Sequence, residues 1–461
     1  MKIKYLRKIV RIKQNRWINL THLYLKDLYD KTIETNSIIK NQILQFLPFL
    51  IASFLTGTVA FLYSRLFSYT EELSLYIFEI NRSYIFISAP ICFLISWWLV
   101  KRFAPYARGS GIPQVMASIE LAKPRSNYII ETFLGVKIIF IKVASSAVKV
   151  LGGGILGREG PTIQISSSIF YLVQKWVPKW WMPVSQKNIL IAGAASGLAA
   201  AFNTPLGGII FAIEELSKFH IKYSKSPLFI AVIIAGLTAQ GFGGSYLYLA
   251  YPKIDFTGWN VALGLILVSV ISGYFGSKMC VILLRFMNYF NSIKNRRNEI
   301  GLVLLSSFFV AACIYFFGAE AMGSGKEIMV RTLFTTSKTV EWYLPFIRMI
   351  GLVTSFGIGG AGGVFAPSLS AGACFGALIA QLLHFTGGNA DALILIGMTA
   401  FLTGVTRAPF TSAIIIFEMT DRHSIIFFLL LSAIIANVIA YYVDRHPFYE
   451  QLKANYIQEV T

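Results

Sequence analysis

Six stretches of this chain lack any charged side chain, and together they constrain the fold more than any other feature. They run over Leu44 to Tyr63, Ser83 to Val100, Pro227 to Pro252, Ile300 to Gly318, Met349 to Asn389 and Ser424 to Val443. Each is close to or longer than the ~20 residues that a helix needs to cross a bilayer. Backbone groups in lipid must be paired within the protein, and no strict alternation of apolar and polar residues indicates a barrel. The sequence therefore predicts an all-α polytopic membrane protein.

Composition agrees with that prediction. Of the 461 residues, 55% are hydrophobic and only 14% are charged, whereas about a quarter of a typical soluble chain is charged. The cysteines Cys92, Cys280, Cys313 and Cys374 are far apart in apolar runs, so we interpret them as small buried hydrophobic residues. No metal site is expected, and no H-E-x-x-H or G-x-S-x-G motif suggests an enzyme.

The net charge of +19 is distributed unevenly along the chain. Residues 1–45 carry ten Lys or Arg against three acids, and the 101–126 loop is also basic, whereas the predicted loop between the first two spans carries Glu71, Glu72 and Glu79. This alternation is typical of the positive-inside rule, with the N-terminus in the cytoplasm. We interpret residues 1–41 as a cytoplasmic basic amphipathic arm and do not expect nucleic acid as a partner. Residues 454–461 are predicted to be a short cytoplasmic tail.

The chain contains an internal repeat. Gly157-Arg158-Glu159-Gly160-Pro161 and Gly363-Val364-Phe365-Ala366-Pro367 share the form G-x-x-x-P, and each follows a glycine pair at the same offset. Downstream of each motif comes another proline, Pro205 or Pro409, and nine residues later a carboxylate, Glu214 or Glu418. Four aligned features in one order predict two related halves, at about residues 42–250 and 255–450.

Internal repeats of transporters place their substrate between helices that stop inside the membrane. Helix N-termini carry unpaired N–H groups and partial positive charge, glycine allows close approach of the backbone, and proline is tolerated in a first helical turn. Both G-x-x-x-P motifs are therefore predicted to be helix starts aimed at one anion. The alternative is that these residues only kink helices or let them pack closely.

With these motifs, the sequence resembles the CLC family of chloride channels and proton-coupled chloride antiporters, in its prokaryotic form without CBS domains. The resemblance covers residues 42–453 and includes Gly109-Ser110-Gly111-Ile112-Pro113, the two motifs above and Tyr449 in HPFYEQL. It implies a homodimer with one anion pathway per subunit and about eighteen helices in two inverted halves, many broken or re-entrant. The expected function is exchange of chloride for protons across a bacterial inner membrane, with no cofactor. A passive chloride channel of the same fold is the alternative.

The resemblance also implies roles for single residues. Ser110, Tyr449 and the backbone amides of Val364 and Phe365 match the ligands of the central chloride. Glu159 matches the external gate and proton acceptor, and Glu215 matches the internal proton relay. Arg158 and Gly160 would supply backbone near the gate, where Arg158 either adds positive potential or forms a buried ion pair.

Some roles stay open in the sequence. Glu214 either pairs with a nearby lysine or has a role that only a structure would show, and Glu418 is interpreted as a structural hydrogen-bonding carboxylate rather than a transport residue. Lys142 and Lys149 either attract anions, form pairs or snorkel towards water. Gln114 stands where many relatives have an acid, which we interpret as a changed cytoplasmic salt bridge.

Overall fold

The computed structural model describes residues 37–122, 127–178, 181, 184–216, 225–244, 248–252, 254, 259–335, 338–420 and 423–461. Most of the predicted N-terminal arm lies outside these ranges, although the first helix already begins at Ser37 rather than near residue 42. The limits of the predicted arm, membrane domain and tail remain predictions.

The described residues are almost entirely helical. The α-helices are α1 (Ser37–Ile80), α2 (Ile85–Phe103), α3 (Ile112–Glu120), α4 (Asn127–Leu134), α5 (Val136–Leu151), α6 (Glu159–Trp176), α7 (Gln186–Phe202), α8 (Pro205–Phe211), α9 (Lys225–Gly243), α10 (Trp259–Ser292), α11 (Arg296–Phe317), α12 (Lys326–Phe334), α13 (Leu344–Phe356), α14 (Phe365–Leu382), α15 (Gly387–Thr406), α16 (Pro409–Thr420), α17 (Ile426–Val443) and α18 (Phe448–Val460). Eight helices in these ranges are long and apolar enough to cross a membrane. The prediction of an all-α polytopic membrane protein is confirmed.

Burial separates central helices from peripheral ones. In α14 and α15, 83% and 94% of an apolar stretch of 18 residues is buried inside the protein. The corresponding share is only 28% in α9 and in α17. Glycines permit the close central packing, because a Cβ at Gly372 would lie 2.4 Å from the carbonyl oxygen of Gly397 on the neighbouring helix. The four cysteines are buried and unbonded to each other, as predicted.

The two halves repeat the same local geometry. Gly153 and Gly359, at equivalent positions, have φ angles of 78° and 81°. Thr162 and Ser368 both donate their backbone N–H to the residue four positions earlier, at 2.9 and 3.0 Å. Asn203 and Arg407, two residues before the downstream prolines, both adopt left-handed backbone conformations. Equivalent positions thus fold alike, as an internal repeat predicts.

The carboxylates of the repeat connect the halves reciprocally. Glu214, at the end of one half-repeat, accepts hydrogen bonds from the backbone N–H groups of Phe410 (3.1 Å) and Thr411 (2.7 Å) at the start of α16. Glu418 accepts from Leu206 (2.9 Å) and Gly207 (2.6 Å) at the start of α8. Each carboxylate therefore caps the helix start of the other half, where N–H groups lack intrahelical partners. This agrees with a hydrogen-bonding role for Glu418 and gives Glu214 the same one.

The segment after the first span differs from the sequence interpretation. Glu71, Glu72 and Glu79 were assigned to a loop, but α1 continues to Ile80 and only residues 81–84 connect it to α2. The reason is length: α1 has 44 residues, so it extends well beyond the part that a bilayer requires. These glutamates consequently lie on a helix.

Candidate anion and proton site

Three loops that carry the sequence motifs are hydrogen-bonded to one another. Gly157 and Gly363 exchange backbone hydrogen bonds, with N···O distances of 2.8 and 2.7 Å. Gly109 donates to the carbonyl of Gly360 at 2.9 Å and accepts from Gly362 at 3.2 Å. The G-S-G-I-P loop and both G-x-x-x-P loops therefore converge at one point.

Two helix starts face each other at this point. Helix α5 ends at Leu151 and α6 begins at Glu159, while α13 ends at Phe356 and α14 begins at Phe365, so both motifs interrupt the helical path. A Cβ built on Gly363 would lie 3.1 Å from the amide nitrogen of Gly160. The first N–H groups of each helix have no partner within the helix, so the two starts present positive potential to a common space. Val364 and Phe365 occupy the cap and first position of α14.

Two buried hydroxyl groups border the helix starts. Ser110 and Tyr449 have exposed fractions of 1% and 0%. In the part of the chain that the structure describes, the two hydroxyls lie close enough to interact with each other, but neither makes a hydrogen bond of normal geometry. Ser110 Oγ lies against Gly160, and the Tyr449 ring packs on Phe365 with 6.4 Å between centroids. Buried hydroxyls are normally hydrogen-bonded, so two at one place indicate a ligand that accepts hydrogen bonds. A chloride ion has that chemistry.

Glu159 lies at the same place, with an exposed fraction of 1%. A Cβ at Gly157 would collide with carboxylate Oε2 of Glu159 and would lie 3.3 Å from the amide nitrogen of Ala366. The side chain thus points back over the start of α14 rather than away from it. Because the start of α14 carries positive potential, it would stabilise either the ionised carboxylate or a bound anion at the same position.

Glu215 is held by a local irregularity. Residues Ala212–Leu216 form a π-helical turn that continues α8, and single π turns are frequent at functional sites. The turn separates two adjacent carboxylates: Glu214 caps α16, whereas Glu215 is directed inward with an exposed fraction of 7%. Both Glu215 and Glu159 are close enough to Tyr449 to interact with it electrostatically.

Arg158 and Gly160 flank Glu159 in the sequence. The Arg158 guanidinium donates to the carbonyl of Ser64 (3.1 Å) and the hydroxyl of Ser68 (3.2 Å), both on α1. Gly160 leaves room for Ser110, because a Cβ there would overlap the serine hydroxyl. The structure therefore brings Ser110, Glu159 and Tyr449 together at the start of α14, and Glu215 is linked to them through its electrostatic interaction with Tyr449. The assigned roles remain predictions.

Sequence reasoning did not foresee how the Ser110 loop is held. Lys142 is fully buried and donates to the carbonyl oxygens of Ala107 (2.9 Å) and Gly109 (2.8 Å). Gln114 is also fully buried and donates to Arg108 O at 2.7 Å, so the interpretation of a changed cytoplasmic salt bridge misses its place in the core. Polar residues inside an apolar helix were the available signal, but sequence does not show which carbonyls they reach.

Lys149 does not snorkel either. Its side chain is fully buried, and Nζ lies 5.4 Å from the centroid of the Phe93 ring. A Cβ at Gly360 would lie 2.5 Å from this nitrogen, so the absence of a side chain at residue 360 makes room for the lysine. Anion attraction by Lys149 remains a prediction.

The contact of Gly160 with Ser110 gives a direct test of the anion site. Gly160→Ala would push the Ser110 hydroxyl aside, so we expect chloride affinity to fall by about tenfold, which corresponds to roughly 1.4 kcal/mol. Gly301→Ala is a matched control, since a Cβ at residue 301 would meet nothing within 4 Å. Isothermal titration of both variants with chloride is the measurement. Equal affinities for the two variants would contradict a role of Ser110 in binding.

The chain is similar to known chloride-transport proteins. A family model described as the voltage gated chloride channel matches residues 92–441. The H(+)/Cl(-) exchange transporter ClcA of Klebsiella pneumoniae subsp. pneumoniae is 29% identical over 377 residues, which cover 80% of this chain and 78% of that protein. ClcA of Yersinia pestis bv. Antiqua (strain Angola) is 28% identical over 378 residues, which cover 80% of this chain and 77% of that protein.

Solved structures show the same fold. A slow cyanobacterial Cl-/H+ antiporter superposes with a TM-score of 0.79 at 21% identity, covering 90% of this chain and 98% of that one. A CLC-type fluoride/proton antiporter gives 0.73 at 18% identity, with coverage of 90% and 98%. A eukaryotic CLC transporter gives a TM-score of 0.71 at 24% identity, covering 89% of this chain and 74% of that one.

Proposed function

Because this chain belongs to the voltage-gated chloride channel family, we propose that it exchanges chloride for protons across a membrane. The observation that carries the proposal is the meeting of two helix starts with the buried hydroxyls of Ser110 and Tyr449. Chloride would bind between the hydroxyls and the amides of Val364 and Phe365. Amides and hydroxyls replace water around an anion without a full positive charge that would hold it too tightly for release.

Glu159 would couple the two ions. When ionised, its carboxylate occupies the positive potential at the start of α14 and excludes chloride. When protonated, it loses that attraction, leaves the position and lets chloride enter. Glu215 would pass protons between the cytoplasm and Glu159, past Tyr449. We assign substrate exchange, and no enzymatic reaction or cofactor, to this site.

Ion pairs support an orientation with both termini in the cytoplasm. Lys101, at the end of α2, pairs with Glu299 at the start of α11. Arg108 pairs with Glu459, and Lys453 pairs with Glu120 at 2.8 Å, so α18 lies on the same side as these loops. The basic segments near residues 101 and 296 therefore share one face with the C-terminal helix. By the positive-inside rule we place this face in the cytoplasm of a bacterium, at its inner membrane.

We also propose a homodimer, formed through α8, α9, α16 and α17. Glu214 and Glu418 are only partly buried, and apolar side chains such as Leu206, Phe410 and Leu431 are about half exposed beside them. Exposing carboxylates to lipid costs free energy, so we expect a second copy of this chain to cover this face. Leu431→Trp combined with Ile434→Trp should give monomers by native mass spectrometry, and Leu305→Trp on α11 should stay dimeric. A monomeric unmodified protein would contradict the dimer.

Vesicle transport tests the exchange directly. Purified protein in liposomes with an imposed chloride gradient should move chloride outward and protons inward, recorded together with a chloride electrode and a pH electrode. We expect a fixed ratio between the two fluxes. Chloride flux without any proton signal would instead support the passive channel of the same fold.

A further inference from the structure

A cavity of about 340 Å³ lies near the end of α1, on the side of the molecule away from the basic end of α2. One wall is α1, with Ser68 and Glu71, and the other wall is the segment from Ala319 to Arg331. Val150, next to the end of α5 where the gate loop begins, also lines it. The cavity therefore borders the end of the helix that leads into the loop before Glu159.

One face of α1 connects the cavity to the gate. Ser64, Ser68 and Glu71 are spaced by four and three residues, which places them on the same side of a helix. Arg158 bonds to this face through the carbonyl of Ser64 and the hydroxyl of Ser68. Arg158 directly precedes Glu159 in the sequence. It therefore connects this face of α1 to the residue that carries the carboxylate.

Of the three residues on this face, Glu71 lies nearest the end of α1. Its Oε1 accepts a hydrogen bond from the backbone N–H of Ser324 at 2.7 Å, so its position is fixed by the opposite wall. The carboxylate is close enough to act electrostatically on Arg158 and on Glu159. Glu71 is partly buried, whereas the adjacent Glu72 lines the same cavity but is exposed. Of these neighbours, Glu71 is the one that faces the gate.

Other charged groups surround Glu71 from every packed element. They are Glu72 on α1, Arg158 at the start of α6, Glu320, Lys326, Glu327 and Arg331 on the opposite wall, and Arg348 on α13. Arg331 and Glu320 pair with each other at 2.9 Å. Arg348 donates to the carbonyls of Met322 (2.8 Å) and Gly323 (3.1 Å) and so fixes the wall that holds Glu71.

We propose that Glu71 is a proton relay between this cavity and Glu159. This inference rests on the proposed exchange of chloride for protons. A hydronium ion in the cavity gives a proton to the Glu71 carboxylate, forming one O–H bond as one breaks. Glu71 then passes the proton through water to the Glu159 carboxylate and becomes ionised again. The reverse sequence releases a proton to the cavity. Charge and atoms balance at each step, and only water is needed between the carboxylates.

Glu71→Gln and Glu72→Gln form a matched pair for the test. With weakly buffered solution on the cavity side, we expect Glu71→Gln to slow coupled exchange several-fold, at an unchanged chloride-to-proton ratio and unchanged chloride affinity. Glu72→Gln should exchange at the rate of the unmodified protein. A high concentration of imidazole buffer on the cavity side should restore the rate of Glu71→Gln, because the buffer delivers protons in place of the carboxylate. A merely structural defect would not respond to buffer.

The outcomes separate this inference from the proposed function. If the unmodified protein couples the ions and Glu71→Gln exchanges at the same rate, or if it is slow and imidazole does not restore it, the relay is wrong. If the unmodified protein moves no protons, the proposed function fails first. Should Glu71→Gln not fold, Glu71→Asp retains the carboxylate and should be slowed and restored by imidazole in the same way. A rate of Glu71→Asp insensitive to buffer would overturn the relay.

Discussion

Glu159→Ala should transport chloride with no accompanying proton movement. Alanine removes the carboxylate that we propose to compete with chloride for the start of α14, so the anion position should stay accessible whatever the pH. It also removes the group that takes up the proton. We expect proton flux to fall to the level of protein-free vesicles while chloride flux persists and loses its dependence on external pH. Simultaneous recording of both ions in liposomes is the measurement.

Two results would contradict this role of Glu159. Retained proton coupling in Glu159→Ala would mean that another group carries the proton. Complete loss of chloride flux in a folded variant would mean that the carboxylate supports binding instead of competing with it. Glu159→Gln serves as the isosteric control, since its neutral side chain resembles the protonated carboxyl and should also uncouple the ions.

Glu215→Gln should likewise leave chloride flux and abolish proton flux. Glutamine preserves the size of a side chain that is 7% exposed within a π-helical turn, but it cannot take up and release a proton. The proposed chloride site between Ser110 and Tyr449 does not include this side chain, so chloride affinity should be unchanged. The same liposome recording and a chloride titration measure the two quantities.

The adjacent Glu214 is the matched control. Glu214→Gln weakens the charged cap on Phe410 and Thr411, so we expect a loss of roughly 1–3 kcal/mol in stability, seen as a lower melting temperature in detergent. Coupling should stay intact. If Glu214→Gln uncoupled the ions and Glu215→Gln did not, the assignment of the internal relay would have to be exchanged between the two residues.

Much of the fold was predictable because its strongest determinants are local in sequence. Uncharged runs require helices in lipid, and glycine and proline motifs inside such runs mark where helices stop. The repeat spacing of Glu214 and Glu418 was visible as well. Their partners were not, because each carboxylate caps a helix of the other half, and sequence spacing carries no information on which distant N–H groups it reaches.

The candidate site was predictable to a similar extent. The internal repeat predicted that the motifs of Glu159 and Phe365 meet at one anion. The resemblance to a family was needed to add Ser110 and Tyr449, which lie far from them in the chain. The opposite directions of Glu214 and Glu215 depend on a π-helical turn, which no residue pattern in the sequence specified. The hydrogen bonds of Lys142 and Gln114 were not predictable, because the carbonyl groups that accept them become neighbours only in the folded chain.

Anomalous diffraction from crystals grown in bromide tests the central claim most directly. In the unmodified protein, bromide should lie between the hydroxyls of Ser110 and Tyr449 and the amides of Val364 and Phe365. In Glu159→Gln, a second bromide should appear where the carboxylate had been, beside the amide of Ala366. Bromide that avoids both helix starts, or the same bromide positions in both proteins, would contradict competition between an anion and a carboxylate for the ends of interrupted helices.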